Sequence, residues 1–294
     1  MNKRSGGIGK NSIKAQIAVI GGSGFYSLLE NAKEISIKTP YGSPSDKIAI
    51  GKIHEKSVAF LARHGKKHHL PPHKINYRAN IWALKSLGVK KIIAPCACGS
   101  LQPHIKPGEF VICDQFVDRT KSREDTFFEG PRVAHVSAAN PYCNSLREII
   151  CAACKKTGVK YHQKGTVVVI QGPRYSTKSE SRWFSGQGWE VINMTQYPEC
   201  ILARELEMCY ASIALITDYD AGIHGDDTYW DNSQRKPLST ITPPIIKPVD
   251  TAEILRVFKE NNEKVKRVII ETIKNLDPDL PCECQTAMKN AFVS

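Results

Sequence analysis

The chain has 294 residues, of which 41% are hydrophobic and 24% charged, with 20 Gly and 17 Pro; this ordinary globular usage excludes collagen-like, mucin-like and low-complexity chains. Its 41 Lys and Arg against 29 Asp and Glu leave a formal net charge of +12, which favours anionic partners (nucleic acid, an acidic membrane surface or a phosphate-bearing substrate) without choosing among them. The length permits one large α/β domain or two small ones. No run approaches the roughly 18 apolar residues of a membrane span, and the basic, polar stretch from Met1 to Ala15 predicts no secretory signal.

Short β-branched runs alternate with helical periodicity from Ile17 to Leu276, the pattern of an α/β domain with a largely parallel central sheet. Ile17 to Ile20 reads as a buried strand running into Gly21-Gly22-Ser23-Gly24, and Ile48 to Ile53 with Val58 to Ala62 as a hairpin. Ile75, Ala79, Trp82, Ala83 and Leu87 share one face of a helix over Lys74 to Leu87, with Gly88 as its stop. Strands follow at Lys91 to Ala94 and Phe110 to Cys113, then a helix opened by Asn140-Pro141 that ends before Gly158. Thr166 to Ile170 lacks alternation, which suits a strand covered on both faces. Val191 to Met194 is a strand, Pro198 to Met208 a helix and Ala211 to Thr217 the last buried strand. Gly225 to Val249 holds Pro237, Pro243, Pro244 and Pro248 with little periodicity and reads as a long loop, of a kind usually functional or mobile. A long helix over Glu253 to Leu276 closes the domain. The chain thus divides into a basic, flexible extension (1–15), one domain (16–276, with 225–249 inserted) and a tail (277–294).

Ten cysteines without a secretory signal predict reduced thiols in a cytoplasmic core rather than a disulfide framework. Cys96, Cys113, Cys143, Cys151, Cys154, Cys200 and Cys209 fall in apolar segments, so only Cys282 and Cys284 look exposed enough for redox pairing or metal. One Cys-x-Cys without a His pair is a weak zinc signal, and no metal is assigned.

Glycine-flanked polar clusters recur where strands end, and open α/β sheets bind ligands at that edge. Gly21-Gly22-Ser23-Gly24 could wrap N–H groups around an anion or be a tight turn; it matches neither the Walker nor the dinucleotide fingerprint. Ala62-Arg63-His64-Gly65 offers a guanidinium fork and an imidazole to a phosphate. The nearby His68, His69 and His73 lack a carboxylate or cysteine at metal-ligand spacing. Cys98-Gly99-Ser100 permits close backbone approach, Gly172-Pro173-Arg174-Tyr175-Ser176 and Asn193-Met194-Thr195 stand at strand ends, and Asp218 and Asp220 face one side of a strand. Their recurrence at strand ends points to a common pocket.

These blocks, with Asn76 to Leu84, Ala97 to Leu101, Asp114 to Thr120 and Val191 to Thr195, resemble in order and spacing the S-methyl-5′-thioadenosine phosphorylase family, from about Ile17 to Leu276. The resemblance implies a single-domain α/β nucleoside phosphorylase fold with a mixed, partly barrel-like central sheet flanked by helices. It implies a cytoplasmic homo-oligomer, a trimer or dimer of trimers, that needs no cofactor beyond phosphate as co-substrate and binds neither nucleic acid nor membrane. It also implies phosphorolysis of methylthioadenosine to adenine and methylthioribose 1-phosphate, in methionine and polyamine salvage. By position, Ser23, Arg63, His64, Cys96, Ala97 and Thr195 would hold phosphate; Met194 would lie against ribose; and Tyr175, Asp218, Tyr219 and Asp220 would bind the base. Ser176, Thr251, Ile254 and Leu255 match positions that set substrate choice, and His135 a histidine lent across the subunit interface.

In such a reaction charge develops on ribose and purine, so a phosphate beneath the sugar and an acid at N7 both act in the transition state. Asp218 is the expected general acid, provided its pocket neutralises it. A carboxylate accepts from a 6-amino group, whereas a 6-oxo purine suits an amide, so two Asp favour adenine. Cys96 departs from the family, which often carries a hydroxyl there, and 225–249 is longer than the family's loop. The tail's Cys282-x-Cys284 is similar to one in thermophilic relatives, which implies a disulfide. Other readings are a phosphorylase for 6-oxopurines or broader substrates, a water-using nucleosidase and a basic nucleic-acid-binding protein; the Arg63-His64 pair opposes the second, and scattered basic residues the third.

Overall fold

The computed structural model describes residues 14–22, 28–221, 230–231, 236–237 and 251–293, with backbone alone at 230–231, 236–237, 251–255 and 258. The chain opens with β1 (Ile17–Gly21), wholly buried. Alternation sends Ile17 and Val19 into one core layer and Ala18 and Ile20 into the other. An exposed edge strand β2 (Glu30–Ile35) precedes β3 (Ile48–Ile53) and β4 (Lys56–Ala62). These last two form the expected hairpin across His54 and Glu55, both at positive φ as its tight turn demands.

Helix α1 (Tyr77–Ser86) starts later than its periodicity suggests. Pro72–Lys74 form a separate 3-10 turn, Ile75 is extended, and the Asn76 side chain caps the helix by accepting from the Ala79 N–H at 3.0 Å. Next come β5 (Lys91–Ser100), β6 (Phe110–Ile112), β7 (Gln115–Arg119), α2 (Asn144–Lys156), β8 (Tyr161–His162) and β9 (Thr166–Ile170). The chain continues through α3 (Lys178–Gly186), β10 (Val191–Asn193), α4 (Gln196–Glu205), β11 (Cys209–Tyr219), a short antiparallel pair β12 (Trp230–Asp231) and β13 (Lys236–Pro237), and α5 (Thr251–Asn275). Apart from that pair, the expected loop 225–249 lies outside the described residues, as does most of the extension 1–15.

Among the described residues, eleven strands make one mixed sheet in the order β2-β3-β4-β1-β5-β10-β9-β7, with β11 joining β5 to β6 and β6 to β8. Because β5 has β1, β10 and β11 as partners, the sheet branches there and folds partly over itself. Helices α2 and α5 cover one core layer and α1 and α4 the other. The Thr166–Ile170 strand is covered on both faces, Val167 and Val169 in one cluster and Val168 in another. The tail is packed, contrary to its polar appearance: Cys284, Met288 and Ala291 are buried, and Val293 N–H donates to the Val133 carbonyl at 3.1 Å. None of the helices among the described residues is long and apolar enough to cross a membrane.

Ile93 lies where β5 is paired with both β1 and β11, fully buried between them. Ile93→Ala is expected to cost about 2–5 kcal/mol, read as a lowered midpoint in chemical denaturation; a loss under about 1 kcal/mol would mean that this junction is loosely packed.

Candidate active site

Strand β5 changes neighbours along its length. Residues Lys91 to Ile93 pair with β1, Gly99 and Ser100 pair antiparallel with β10, and β11 follows the other edge throughout. From Ala94 to Cys98 one edge therefore has no strand beside it among the described residues, and a cavity of about 790 Å³ opens there. Pro95 to Gly99 line it, and Ala97 alone in β5 is exposed. Cys98-Gly99-Ser100 thus belongs to a strand that continues through Pro95, not to a loop after Ala94.

The cavity gathers Arg63, His64, Cys96, Ala97, Tyr175, Ser176, Met194, Thr195, Asp218 and Asp220 from segments far apart in sequence. Ser23 lies outside the described residues, and of Thr251, Ile254 and Leu255 only the helical backbone is described. Two expected residues are elsewhere. Tyr219 turns to the opposite side of β11, where its hydroxyl donates to the Pro103 carbonyl at 3.3 Å. His135 is exposed on the segment that pairs with the tail, its N–H donating to the Ala291 carbonyl at 2.7 Å.

Arg63 is 3% exposed and spends most of its fork inside the protein. Nε and Nη2 donate to the two oxygens of Glu199 at 2.8 Å each, Nη2 also to the Ile20 carbonyl and Nη1 to the Pro95 carbonyl at 3.0 Å. One Nη1 hydrogen remains for a ligand. Burial alone would lower the Arg63 pKa, but the charge and hydrogen bonds of Glu199 overcome it and hold the guanidinium charged. Glu199 is itself fully buried and accepts from the Tyr210 hydroxyl at 2.7 Å. Sequence analysis overlooked Glu199 because a carboxylate in the first turn of a helix reads as a dipole partner; the signal that could have found it is that a buried arginine needs an acid.

His64 is neutral at physiological pH: burial pushes its imidazole down to about 4, aided by the charge of Arg63 and opposed by the bond to Leu70. Nδ1 lies 2.9 Å from the Leu70 carbonyl, which can only accept, so Nδ1 carries the proton and Nε2 the lone pair. The histidine therefore offers a ligand an acceptor, not the donor expected of it. Cys96 receives the amide groups of Asn193 at 3.2 Å and Gln196 at 3.3 Å, with Cys98 and Ser212 each at 3.6 Å. The hydrogen bond from Cys98 foremost, against burial and with help from Arg63, pulls the Cys96 thiol down to about 6. Thr195 closes this end of the cavity just before α4, its N–H donating to Asn193 Oδ1 at 3.4 Å and its backbone separated from the regular part of the helix by the extended Tyr197.

The other group of ligands comes from the end of β11. A bulge between Ile216 and Asp218 brings Asp218 opposite Gly99. A Cβ on Gly99 would lie 3.2 Å from Asp218 Oδ1, so only glycine leaves the carboxyl undisturbed. Burial pushes Asp218 up to about 6, against the hydrogen bond from Thr217 (2.6 Å) and with help from the charge of Asp220. Asp220 accepts from the Ser176 hydroxyl at 3.1 Å through one oxygen, while the other is buried with no partner among the described residues. Gly172, at φ +63°, holds the loop against Met194: a Cβ there would stand 2.6 Å from the Met194 sulfur.

Glu199→Gln is expected to destabilise the protein by about 3–5 kcal/mol, since it leaves Arg63 buried without its counter-charge. The double replacement Arg63→Met with Glu199→Met should recover much of that loss in thermal unfolding; additive losses would show that the pair is not coupled.

The phosphorylase superfamily model matches residues 16–274. The chain is 48% identical over 287 residues to an S-methyl-5′-thioadenosine phosphorylase of Saccharolobus solfataricus, covering 95% of this chain and 98% of that one. A protein of the same name from Thermofilum pendens is 46% identical over 282 residues, 95% of this chain and 99% of that one. Among solved structures, a methylthioadenosine phosphorylase from an antarctic soil metagenomic library matches with a TM-score of 0.85 at 38% identity, over 96% of this chain and 93% of its own. Methylthioadenosine phosphorylase from Schistosoma mansoni in complex with adenine matches at 0.79 and 33% identity, over 94% and 96%. The chain belongs to the phosphorylase superfamily, in the group that holds the S-methyl-5′-thioadenosine phosphorylases.

Proposed function

We propose that this protein cleaves S-methyl-5′-thioadenosine with inorganic phosphate, releasing adenine and S-methyl-5-thioribose 1-phosphate. The observation that carries the reading is that one cavity joins an anion-binding end, Arg63, His64, Ala97 and Thr195, to an acidic end, Asp218 and Asp220. Phosphate enters at the first end and takes donors from Arg63 Nη1 and the Thr195 hydroxyl, with Ser23 completing the cradle; the P–OH of a phosphate can donate to the free nitrogen of His64. Cys96 contributes through its main chain, because a thiol that ionises near neutral pH repels an anion.

As the glycosidic bond lengthens, ribose gains positive charge over the phosphate and the purine gains negative charge toward Asp218. A carboxyl lifted to about 6 is protonated in about a tenth of molecules at pH 7 and transfers its proton as N7 becomes basic. The unpartnered oxygen of Asp220 accepts from the 6-amino group, which supports adenine over 6-oxopurines. Phosphate attacks the sugar directly, so the reaction needs neither cofactor nor covalent enzyme intermediate. In this reading Met194 underlies ribose, Tyr175 flanks the base, and Ser176, Thr251, Ile254 and Leu255 shape the 5′ pocket. The protein acts in the cytoplasm as a homo-oligomer, a trimer or dimer of trimers, with His135 completing a neighbour's site.

Incubating the protein with methylthioadenosine, adenosine and inosine, each with and without phosphate, tests this directly. Adenine should appear only with phosphate, together with the sugar 1-phosphate; phosphate-independent release or a preference for inosine overturns the reading.

Asp218→Asn is expected to lower kcat about 10²–10⁴-fold while the protein stays folded. The raised carboxyl pKa also ties stability to pH. Asp218 contributes stability below its unfolded value of 3.8 and loses it as pH rises through about 6. The Tm of Asp218→Asn relative to the wild type should therefore increase between pH 4 and pH 7; a constant difference would remove the buried proton from the mechanism.

A further inference from the structure

The face that β11 presents to the cavity changes partway along the strand. Leu215 and Thr217 line the cavity, two residues apart as strand alternation requires. Continued alternation would bring Tyr219 there next. Instead Asp218 and Asp220 line it, and Tyr219 turns away to the Pro103 carbonyl. The switch falls at the bulge between Ile216 and Asp218, where one extra residue inverts the two faces of everything that follows. Both aspartates therefore owe their place in the cavity to this one irregularity.

The Ile216 carbonyl stands at the start of the bulge and accepts two hydrogen bonds. One comes from the Gly108 N–H at 2.8 Å, the other from Asn261 Nδ2 of α5, also at 2.8 Å. Asn261 sits in the buried stripe of α5, one helical turn after Val257 and one before Val265, where an apolar side chain is the ordinary choice. It is fully buried, and its orientation is fixed: a carbonyl can only accept, so the atom facing Ile216 is the amide nitrogen. Its Oδ1 then has no partner among the described residues. Packing does not account for such a residue, since a leucine would fill the stripe without leaving a buried acceptor unpaired. One turn further along, Lys264 Nζ donates to the Gly108 carbonyl at 3.0 Å, so α5 holds both Ile216 and the segment that bonds to it. Asn262 lines the cavity itself.

We propose that Asn261 is a positioning residue for the acidic end of the site: its amide holds the Ile216 carbonyl, fixes the bulge of β11 and so directs Asp218 and Asp220 into the cavity. The catalytic consequence rests on the phosphorolytic reading; the geometry does not. Helix α5 begins ten residues earlier, at Thr251, about 15 Å along its axis. One rigid element therefore joins the residues assigned to the 5′ pocket to the hydrogen bond that aims the acids.

Asn261→Leu tests this, with Thr272→Val as the control, because Thr272 is another fully buried polar residue of α5 and its hydroxyl donates within the helix to the Val268 carbonyl at 2.7 Å. Asn261→Leu is expected to lower kcat for methylthioadenosine about 10–10²-fold with the KM for phosphate unchanged. A second readout needs no turnover. In protein labelled with carbon-13 aspartate, the carboxyl resonance of Asp218, identified by its loss in Asp218→Asn, should move in Asn261→Leu. That of Asp114, which accepts from the Gly165 N–H outside the cavity, should stay in place. Thr272→Val should match the wild type in both readouts. An unmoved Asp218 resonance, a wild-type kcat in Asn261→Leu, or an equal loss in Thr272→Val overturns the proposal. Should the wild type cleave no methylthioadenosine, the functional reading falls and the resonance alone decides whether Asn261 sets the bulge. Should Asn261→Leu not fold, Asn261→Ala, which adds no volume, is read in the same way.

Discussion

The structure depends on a single strand losing a neighbour. In a continuous sheet β5 would be paired along both edges and its residues sealed in the core. Here β1 leaves after Ile93 and β10 begins only at Gly99, running the opposite way. The intervening stretch retains β11 on its other side, so the backbone remains rigid while one edge faces a cavity. Several of the cavity-lining groups are then placed by their relation to that gap: β4 ends beside it with Arg63 and His64, β10 leads to Met194 and Thr195, and the end of β11 delivers Asp218 and Asp220. Precise placement follows from strands, which hold a side chain more firmly than free loops do.

Much of this was legible because the strand cores are strongly apolar: β1, β3, β4, β6 and β9 stand where their β-branched runs put them. What escaped was decided by distant partners. Strand β5 continues through Pro95, Ala97 and Gly99, residues with poor strand propensity, because β11 pairs with it along its whole length. The same pairing extends β11 through Asp218 and Tyr219, which look like a polar loop in sequence. Helix α3 has a clear capping box in Thr177 and Glu180, but its nine residues are mostly polar and too few to stand out in the sequence. Strand β7, Gln115–Arg119, is half-exposed and exists through its register with β9.

The site itself was legible as a set of residue types and illegible as electrostatics. Arg63 and His64 suggest a positive clamp, yet the guanidinium is matched by Glu199 and the imidazole is neutral. Neither partner is adjacent in sequence: Glu199 comes from α4 and the Leu70 carbonyl from the turn that follows β4. Cys284 shows the same limit in the tail, where a polar neighbourhood concealed a buried side chain.

The net charge of +12 therefore does not accumulate at the proposed anion site. This arrangement suits a phosphate that must react as well as bind. An uncompensated guanidinium fork would hold free phosphate and the transition state alike, and uniform binding of that kind does not accelerate the chemical step. In the proposed reaction the remaining Arg63 donor, the Thr195 hydroxyl and a lone pair on His64 would hold phosphate through oriented groups that cost little reorganisation as charge shifts from phosphate toward the sugar. At the far end, burial lifts the Asp218 carboxyl to about 6, so the proposed acid would gain advantage only as the departing base becomes more basic. In the proposed reaction both ends would be weak partners of the bound reactants and strong partners of the charges that form between them, which is the condition for faster turnover rather than tighter binding.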